Sequence, residues 1–411
     1  MDYLRTKYLS KLEELKDKHY IKVITGIRRC GKSTLLKQFQ NFLTNKYSIN
    51  KKCIQMFNFN VLENAKLTYI EIYDLIIKKS IVGSINYIFL DEIQEIDKYE
   101  KILISLFENT EYKFDIYITG SNGKMLSSEL ATLITGRHKD IQIYPLNLNE
   151  YTEINNTLNI VKDNINFSYL RNGGLGTIIP NFGDDEFIEN DMKTILFDTI
   201  NNDVINRHKI RSSIMINKVI DYAYSNIGKQ ISALKLEKNL SIFNEFKITF
   251  KTIENYLQWA VDAMILIRVN YYNIKTKNAL KTSAKYYAGD LGLLNSKTGF
   301  KMNLIGYKLE NAVLLQLLEN GYEVYTLDIY CQKKENKNID FVVVKNHNIK
   351  YIQVTHTLND ENYDREVGNL LSIKDNNDKI ILHVNNEEFF DRKDGVKRMN
   401  LWDFLLGKEK I

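Results

Sequence analysis

The spacing of apolar positions changes period several times along this chain. Tyr3, Leu4, Tyr8, Leu9, Leu12 and Leu15 recur at near-helical intervals on a charged segment, which predicts a helix within residues 1–20. A mainly apolar run then predicts a strand over 21–26, followed by a helix from about Lys32 to Leu43 and a second strand over Cys53–Phe59. A helix is expected over 68–80. After it, Tyr87, Ile88, Phe89 and Leu90 are four consecutive apolar residues, as a strand buried on both faces requires. Further strands are expected over Asp115–Thr119 and Asp140–Tyr144. Five strands of this kind with helices among them predict an α/β unit built on a five-stranded parallel sheet.

From about 190 to 275 the period is helical, with candidate helices over Ile214–Ile227, Ile231–Asn239 and Thr252–Leu266 and a strand-like Ile267–Tyr272 behind them. Two short helices, a longer one and a strand suggest a winged helix-turn-helix. From about 283 helix and strand mix again: a helix over Leu309–Leu318 and strands over Glu323–Leu327, Asn338–Val344, Lys350–Thr355 and Ile380–Val384. The expected domains are therefore 1–155, 156–282 and 283–411.

Composition changes this picture little. At 411 residues and 44% hydrophobic, the chain exceeds one ordinary core. Its two prolines, Pro145 and Pro180, and the lack of a Gly/Ser tract imply domains that abut through packed connections. A net charge of +5 permits nucleic-acid binding without requiring it. Asn, Ile, Lys and Tyr are abundant throughout, so Lys-rich windows carry little weight. The first twenty residues hold no apolar core of signal length, and no later run of about eighteen apolar residues predicts a membrane span. Cys30, Cys53 and Cys331 stand far apart, as free thiols in a reducing cytoplasm would.

The chemistry concentrates where the first strand meets its helix. Gly26-Ile27-Arg28-Arg29-Cys30-Gly31-Lys32-Ser33-Thr34 has the spacing G-x-x-x-x-G-K-S of a phosphate-binding loop. Glycines let the backbone turn its N–H groups inward, and the helix opening at Lys32 adds its positive dipole end. Residues 26–34 would cradle the phosphates of ATP, with Lys32 reaching the β- and γ-phosphates and the Ser33 hydroxyl on Mg²⁺. About sixty residues on, Asn86-Tyr87-Ile88-Phe89-Leu90-Asp91-Glu92 resembles the second nucleotide-site motif of P-loop ATPases. That resemblance implies that Asp91 holds Mg²⁺ through a water and that Glu92 orients and deprotonates the attacking water. In ATPases with a further strand inserted here, the strand's polar end senses the γ-phosphate. Ser121 or Asn122 matches that position, and an ordinary strand-to-helix turn is the alternative. Arg137, just before the fifth strand, would reach a phosphate, would meet an acid of its own domain, or is a solvated charge.

Together with Leu90-Asp91-Glu92, Thr119-Gly120-Ser121-Asn122, Gly136-Arg137 and Pro145-Leu146-x-x-x-Glu150-Tyr151, the loop resembles prokaryotic ATPases of the AAA superfamily that carry a C-terminal DUF4143 region. Tyr169-Leu170-x-x-Gly173-Gly174, Asp203 with Arg207, Tyr256-Leu257, Tyr287-x-x-Asp290-x-Gly292, Leu309-Glu310-Asn311, Ile339-Asp340-Phe341 and Gln353-Val354 continue the match over nearly the whole chain. The resemblance places a winged helix beside the ATPase. Lys251, Lys275, Lys277 and Lys281 would then meet DNA phosphates, or are solvated while Tyr256, Leu257, Trp259, Ala260 and Met264 form a packing core. Glu310, Asp340, Gln353 and Thr355 follow the order of a restriction-endonuclease-like fold, in which acids bind Mg²⁺ and a Lys two residues beyond the Gln activates water. Thr355 stands where that Lys belongs. The expectation is a cytoplasmic, Mg²⁺-dependent ATPase that switches a partner, with DNA the candidate. A slow-turnover nucleic-acid-binding regulator and an ATP-gated nuclease are the alternatives.

Overall fold

A computed structural model describes residues 3–121, 136–158, 160, 164–242, 248–274, 276, 278–301, 304–330, 336–385 and 394–411. The chain divides into two compact units, residues 1–144 with 262–264, and residues 145–261 with 265–411.

In the first unit, α1 (Thr6–Leu15) buries Tyr8, Leu9 and Leu12, three of the positions its spacing picks out. Strand β1 (Ile21–Thr25) leads through the loop into α2 (Lys32–Tyr47). Then follow β2 (Ile54–Asn58), α3 (Tyr69–Lys79), β3 (Ile85–Asp91), α4 (Tyr99–Phe107), β4 (Lys113–Gly120) and β5 (His138–Gln142). The Thr68 hydroxyl accepts from Glu71 N while Glu71 reaches back to Thr68 N, a capping box that fixes where α3 begins. All five strands are parallel, in the order β2-β3-β4-β1-β5. The long apolar stretch of β3 is buried from Asn86 to Asp91, as a strand between two layers must be. Phe57, Ile72, Ile88, Leu90, Leu103 and Ile118 share one core on this sheet. Because the strands run one way, Thr25, Asn58, Asp91 and Gly120 all end on the same edge.

The second unit begins with α5 (Leu148–Thr157), α6 (Ile165–Asn172) and α7 (Asp185–Thr199), the last continuing as a π-helical stretch, Ile200–Asn206. Next come α8 (Ser213–Ser225), the short β6 (Gln230–Ile231), α9 (Ala233–Ile242), α10 (Phe250–Asp262), β7 (Leu266–Asn273) and β8 (Asn278–Ala288). Both β6 and β7 pair antiparallel with β8. The chain ends with α11 (Leu291–Thr298), α12 (Ile305–Glu319), β9 (Glu323–Tyr330), β10 (Asn336–Lys345), β11 (Asn348–Thr357), α13 (Asp360–Leu371), β12 (Asp378–Asn385), β13 (Lys397–Asn400) and α14 (Leu401–Leu405). One mixed sheet, β13-β12-β11-β10-β9-β7-β8-β6, runs through this unit. The boundaries expected at 155/156 and 282/283 fall inside α5 and β8. Among the described residues no helix is long and apolar enough to cross a membrane.

Candidate functional site

The loop after β1 is shaped by its glycines. A Cβ on Gly26 would lie 2.6 Å from both Cys30 Sγ and Ile143 O, so no larger residue fits there. Gly31 has φ +101° and Arg29 φ +65°, left-handed turns that fold the backbone into a nest at the start of α2. Lys32 opens that helix, is 4% exposed, and donates from Nζ to Gly26 O at 3.0 Å and Ile27 O at 3.4 Å. The same ammonium lies 3.5 Å from Glu92 Oε1. Ser33 and Thr34 follow on the first turn of α2, half-buried and exposed respectively. Burial pushes the Cys30 thiol up, and Cys30 and Cys53 are both free thiols.

Facing the loop's lysine is the polar edge of three strands. Asn58 and Asp91 are register partners, and Thr119 follows Ile118, which pairs with Leu90. Asn58 Nδ2 donates to Asp91 Oδ2 at 2.9 Å, and Thr119 Oγ1 donates to Asp91 Oδ1 at 2.5 Å. Asp91 is fully buried. Glu92 takes a left-handed conformation, φ +55°, which breaks the strand and turns its carboxylate toward Lys32. Its N–H donates to Thr119 Oγ1 at 2.9 Å, and its Oε2 accepts from Gln94 Nε2 at 2.6 Å. Burial raises the Glu92 carboxyl, but the Lys32 charge, the Gln94 amide and the Arg28 charge outweigh it and hold the group below the usual carboxylate range. It is therefore ionised at neutral pH.

The structure brings Gly26, Gly31, Lys32, Asp91 and Glu92 into one site with Ser33 beside Lys32. It does not bring Arg137 there. Arg137 precedes β5, where its carbonyl accepts from Ile21 N at the amino end of β1, on the edge opposite the loop. Its guanidinium pairs with Glu108 at 2.8 Å and lies over Phe107, so it meets an acid of its own domain. Asn122 lies outside the described residues; Ser121 is buried. Asn58 and Thr119 are contacts the sequence reading passed over. The available signal was that each is the polar residue closing an apolar strand.

The residues present fit a nucleotide with Mg²⁺. The nest and the cradle that a Cβ on Gly26 would fill suit phosphate, while the Ser33 hydroxyl and Asp91 carboxylate are the hard oxygen donors Mg²⁺ takes.

In the second unit, Asp340 sits where the β9–β10 register shifts, and its Oδ2 accepts from Val354 N at 2.9 Å. Gln353 Oε1 accepts from Asp340 N at 3.3 Å, and its Nε2 donates to Glu366 Oε2 at 2.8 Å. Glu310 Oε2 accepts from Tyr287 OH at 3.2 Å. The sequence order thus does assemble Glu310, Asp340 and Gln353, and adds Glu366. The Thr355 hydroxyl donates to Thr357 O at 3.0 Å. Burial, then the Asp340 charge, pushes the Glu310 carboxyl up, and burial pushes Asp340 up. Lys285 of β8, 5% exposed, acts against both shifts. Among the described residues no three His, Cys, Asp or Glu side chains are placed to hold a metal ion. Of the candidate DNA-facing lysines, 275 and 277 lie outside the described residues, and so does the side chain of 281.

Comparison with known proteins agrees with the loop. Residues 18–152 match an AAA domain, and residues 163–303 match a domain of unknown function, DUF8612, where the sequence resemblance pointed to DUF4143. An uncharacterized protein of Haemophilus influenzae is 31% identical over 408 residues, 98% of each chain. Another, from Methanocaldococcus jannaschii, is 31% identical over 361 residues, 84% of this chain and 77% of its own. A Walker-type ATPase of Pyrococcus abyssi superposes with a TM-score of 0.47 at 16% identity, covering 72% of this chain and 96% of that one.

Proposed function

This chain belongs to the family of those Haemophilus influenzae and Methanocaldococcus jannaschii proteins, and we propose that it is a Mg²⁺-dependent ATPase whose turnover switches a macromolecular partner. The observation that carries the reading is the meeting of two strand ends: the Lys32 ammonium stands 3.5 Å from an ionised Glu92 at the mouth of a glycine-built nest. Lys32 binds the β- and γ-phosphates of the substrate, and Ser33 with Asp91 holds Mg²⁺, which neutralises charge on the phosphate oxygens. Glu92 orients water and takes its proton; its depressed pKa keeps it in the accepting form. Asn58 and Thr119 hold Asp91 in place through its two oxygens. Residues 26–34 form the phosphate cradle, with Asn122 the γ-phosphate sensor.

DNA is the partner this reading favours. The order α8-β6-α9-α10-β7-β8, with β6 and β7 both on β8, is the order of a winged helix-turn-helix. The test is a pair of variants. Lys32→Ala is expected to abolish hydrolysis and weaken ATP binding, whereas Glu92→Gln is expected to bind ATP and hydrolyse it about 100-fold more slowly. Wild-type turnover in folded Glu92→Gln would remove Glu92 from the mechanism, and wild-type turnover in Lys32→Ala would remove the site. Glu92→Gln held with ATP is also the form in which to capture DNA.

A further inference from the structure

The second unit contains a cavity of about 310 Å³ between the end of α8, the end of α11 and the start of α12. Four of its lining residues are lysines, Lys229, Lys297, Lys301 and Lys308. Lys297 is matched by Asp221 at 2.6 Å. The other three form no ion pair among the described residues.

Lys308 is the informative one. It is 1% exposed, donates to Gly299 O at 3.2 Å, and lies 4.2 Å from the centroid of the Phe300 ring. Burial and the neighbouring Lys301 charge push its pKa down to about 8. An ammonium this deep is costly when no carboxylate beside it repays its desolvation. An anion in the adjoining cavity would.

Two further features face the same space. The opening turn of α12, from Leu304 to Lys308, forms one wall, and Leu304 offers no side-chain cap to the helix's first N–H groups. Its positive dipole end adds to the lysines. Ile227 and Leu294 add apolar surface beside Ser225 and Thr298, and Lys229 sits 5.4 Å from the Tyr307 ring centroid, so aromatic surface and cation share the site. A volume of this size is at the small end of ligand pockets. Three unmatched ammonium groups suit the two to three negative charges of a phosphate monoester or pyrophosphate better than a single carboxylate.

We propose that this cavity binds a small phosphorylated molecule, its phosphate between Lys301 and Lys308 and its less polar part against Tyr307 and Leu304. The site lies wholly in the second unit and does not depend on the nucleotide loop.

Inorganic pyrophosphate is the probe, titrated calorimetrically without Mg²⁺ into the full chain carrying Lys32→Ala, which weakens the loop's own hold on phosphate. One binding event is expected. Adding Lys301→Ala or Lys229→Ala, both at exposed positions, is expected to weaken it about tenfold each through loss of one charge beside the anion. Lys308→Met is expected to abolish binding and, without pyrophosphate, to raise the Tm, since an uncompensated buried charge has gone. No binding to the Lys32→Ala chain, or affinity unchanged by Lys301→Ala and Lys229→Ala, overturns the proposal. A lower Tm with unchanged affinity in Lys308→Met likewise makes that lysine structural and overturns it. Lys301→Ala with the loop intact is expected to hydrolyse ATP at the wild-type rate, so failure here and failure of the ATPase reading are separable.

Discussion

Thr119 Oγ1 donates to Asp91 Oδ1 at 2.5 Å and accepts from Glu92 N at 2.9 Å. One hydroxyl therefore ties the side chain of the first acid to the backbone of the second. Thr119→Val keeps the shape of the side chain and removes both bonds, leaving a buried carboxylate oxygen and an N–H short of a partner. A loss of about 1–3 kcal/mol in stability is expected, with kcat falling more than ATP affinity, because the phosphate nest is untouched. Equal loss in both quantities would mean that Thr119 supports the loop and not the acids. Arg137 gives the opposite expectation. Its ion pair with Glu108 is partly exposed and on the far edge of the sheet, so Arg137→Ala is expected to leave turnover per chain unchanged in a steady-state ATPase assay. A slowed turnover would show a role that this placement does not explain. What was legible at this scale was chain-local: the loop from Gly26 to Ser33 makes its nest from consecutive residues. Thr119 and Asn58 were not legible, because their partner is fixed by register across strands. Lys22 reads as an interruption of an apolar strand for the same reason, yet it is fully buried in an ion pair with Asp115 of β4.

At the scale of elements, two short motifs quoted from the sequence pack against each other in the second unit. Asp290 caps α11 by accepting from Gly292 N at 2.7 Å and Leu293 N at 3.1 Å, and reaches across to accept from Gly174 N at 2.7 Å. The approach is too close for any side chain. A Cβ on Gly173 would lie 2.3 Å from Asp290 Oδ1, and one on Gly174 2.1 Å from Leu146 O. Asp290→Ala is expected to cost about 3 kcal/mol, since three N–H groups lose their acceptor inside the protein; chemical denaturation of the full chain measures it. Burial also pushes the Asp290 carboxyl up to about 6 against the pull of those N–H groups. Its folded pKa is thus raised, so this contribution is fully present below the ordinary Asp range and declines as pH rises to about 6. Asp290→Ala should flatten the stability profile over that window as well as lower it; a profile of unchanged slope would mean another group titrates there. The spacing of glycines and one acid signalled this joint in the sequence, but the partner did not show. Helices α5 and α6 and strand β8 were not assigned from the sequence, and α7, which buries Ile188, Met192, Ile195 and Leu196 at helical spacing, was legible only as a helical period from about 190.

For the whole molecule, the question is whether the second unit is a second enzyme. Its polar residues arrive in nuclease order, Glu310 on α12 and Asp340 and Gln353 on β10 and β11 of the mixed sheet, and that order was legible; what each residue does was not, because it depends on who sits beside it. Asp340 Oδ2 accepts from Val354 N, Gln353 Nε2 donates to Glu366, and the Thr355 hydroxyl donates to Thr357 O. Glu310 and Asp340 are both raised by burial, so the pair favours holding a proton where a metal site needs two carboxylates. Among the described residues no trio of ligands is assembled. Lys285 supplies a buried charge nearby, but it comes from β8 and lies in the low-dielectric interior. Thr355 carries no charge with which to stabilise a developing phosphorane. Purified protein with Mg²⁺ or Mn²⁺, with or without ATP, is therefore expected not to cleave single- or double-stranded DNA or RNA. The informative controls are Lys32→Ala and Asp340→Ala. Cleavage that persists in the first and disappears in the second, and also disappears in Lys285→Ala, would show that Lys285 fills the place of the missing lysine and that the acids release their proton to a metal when substrate arrives.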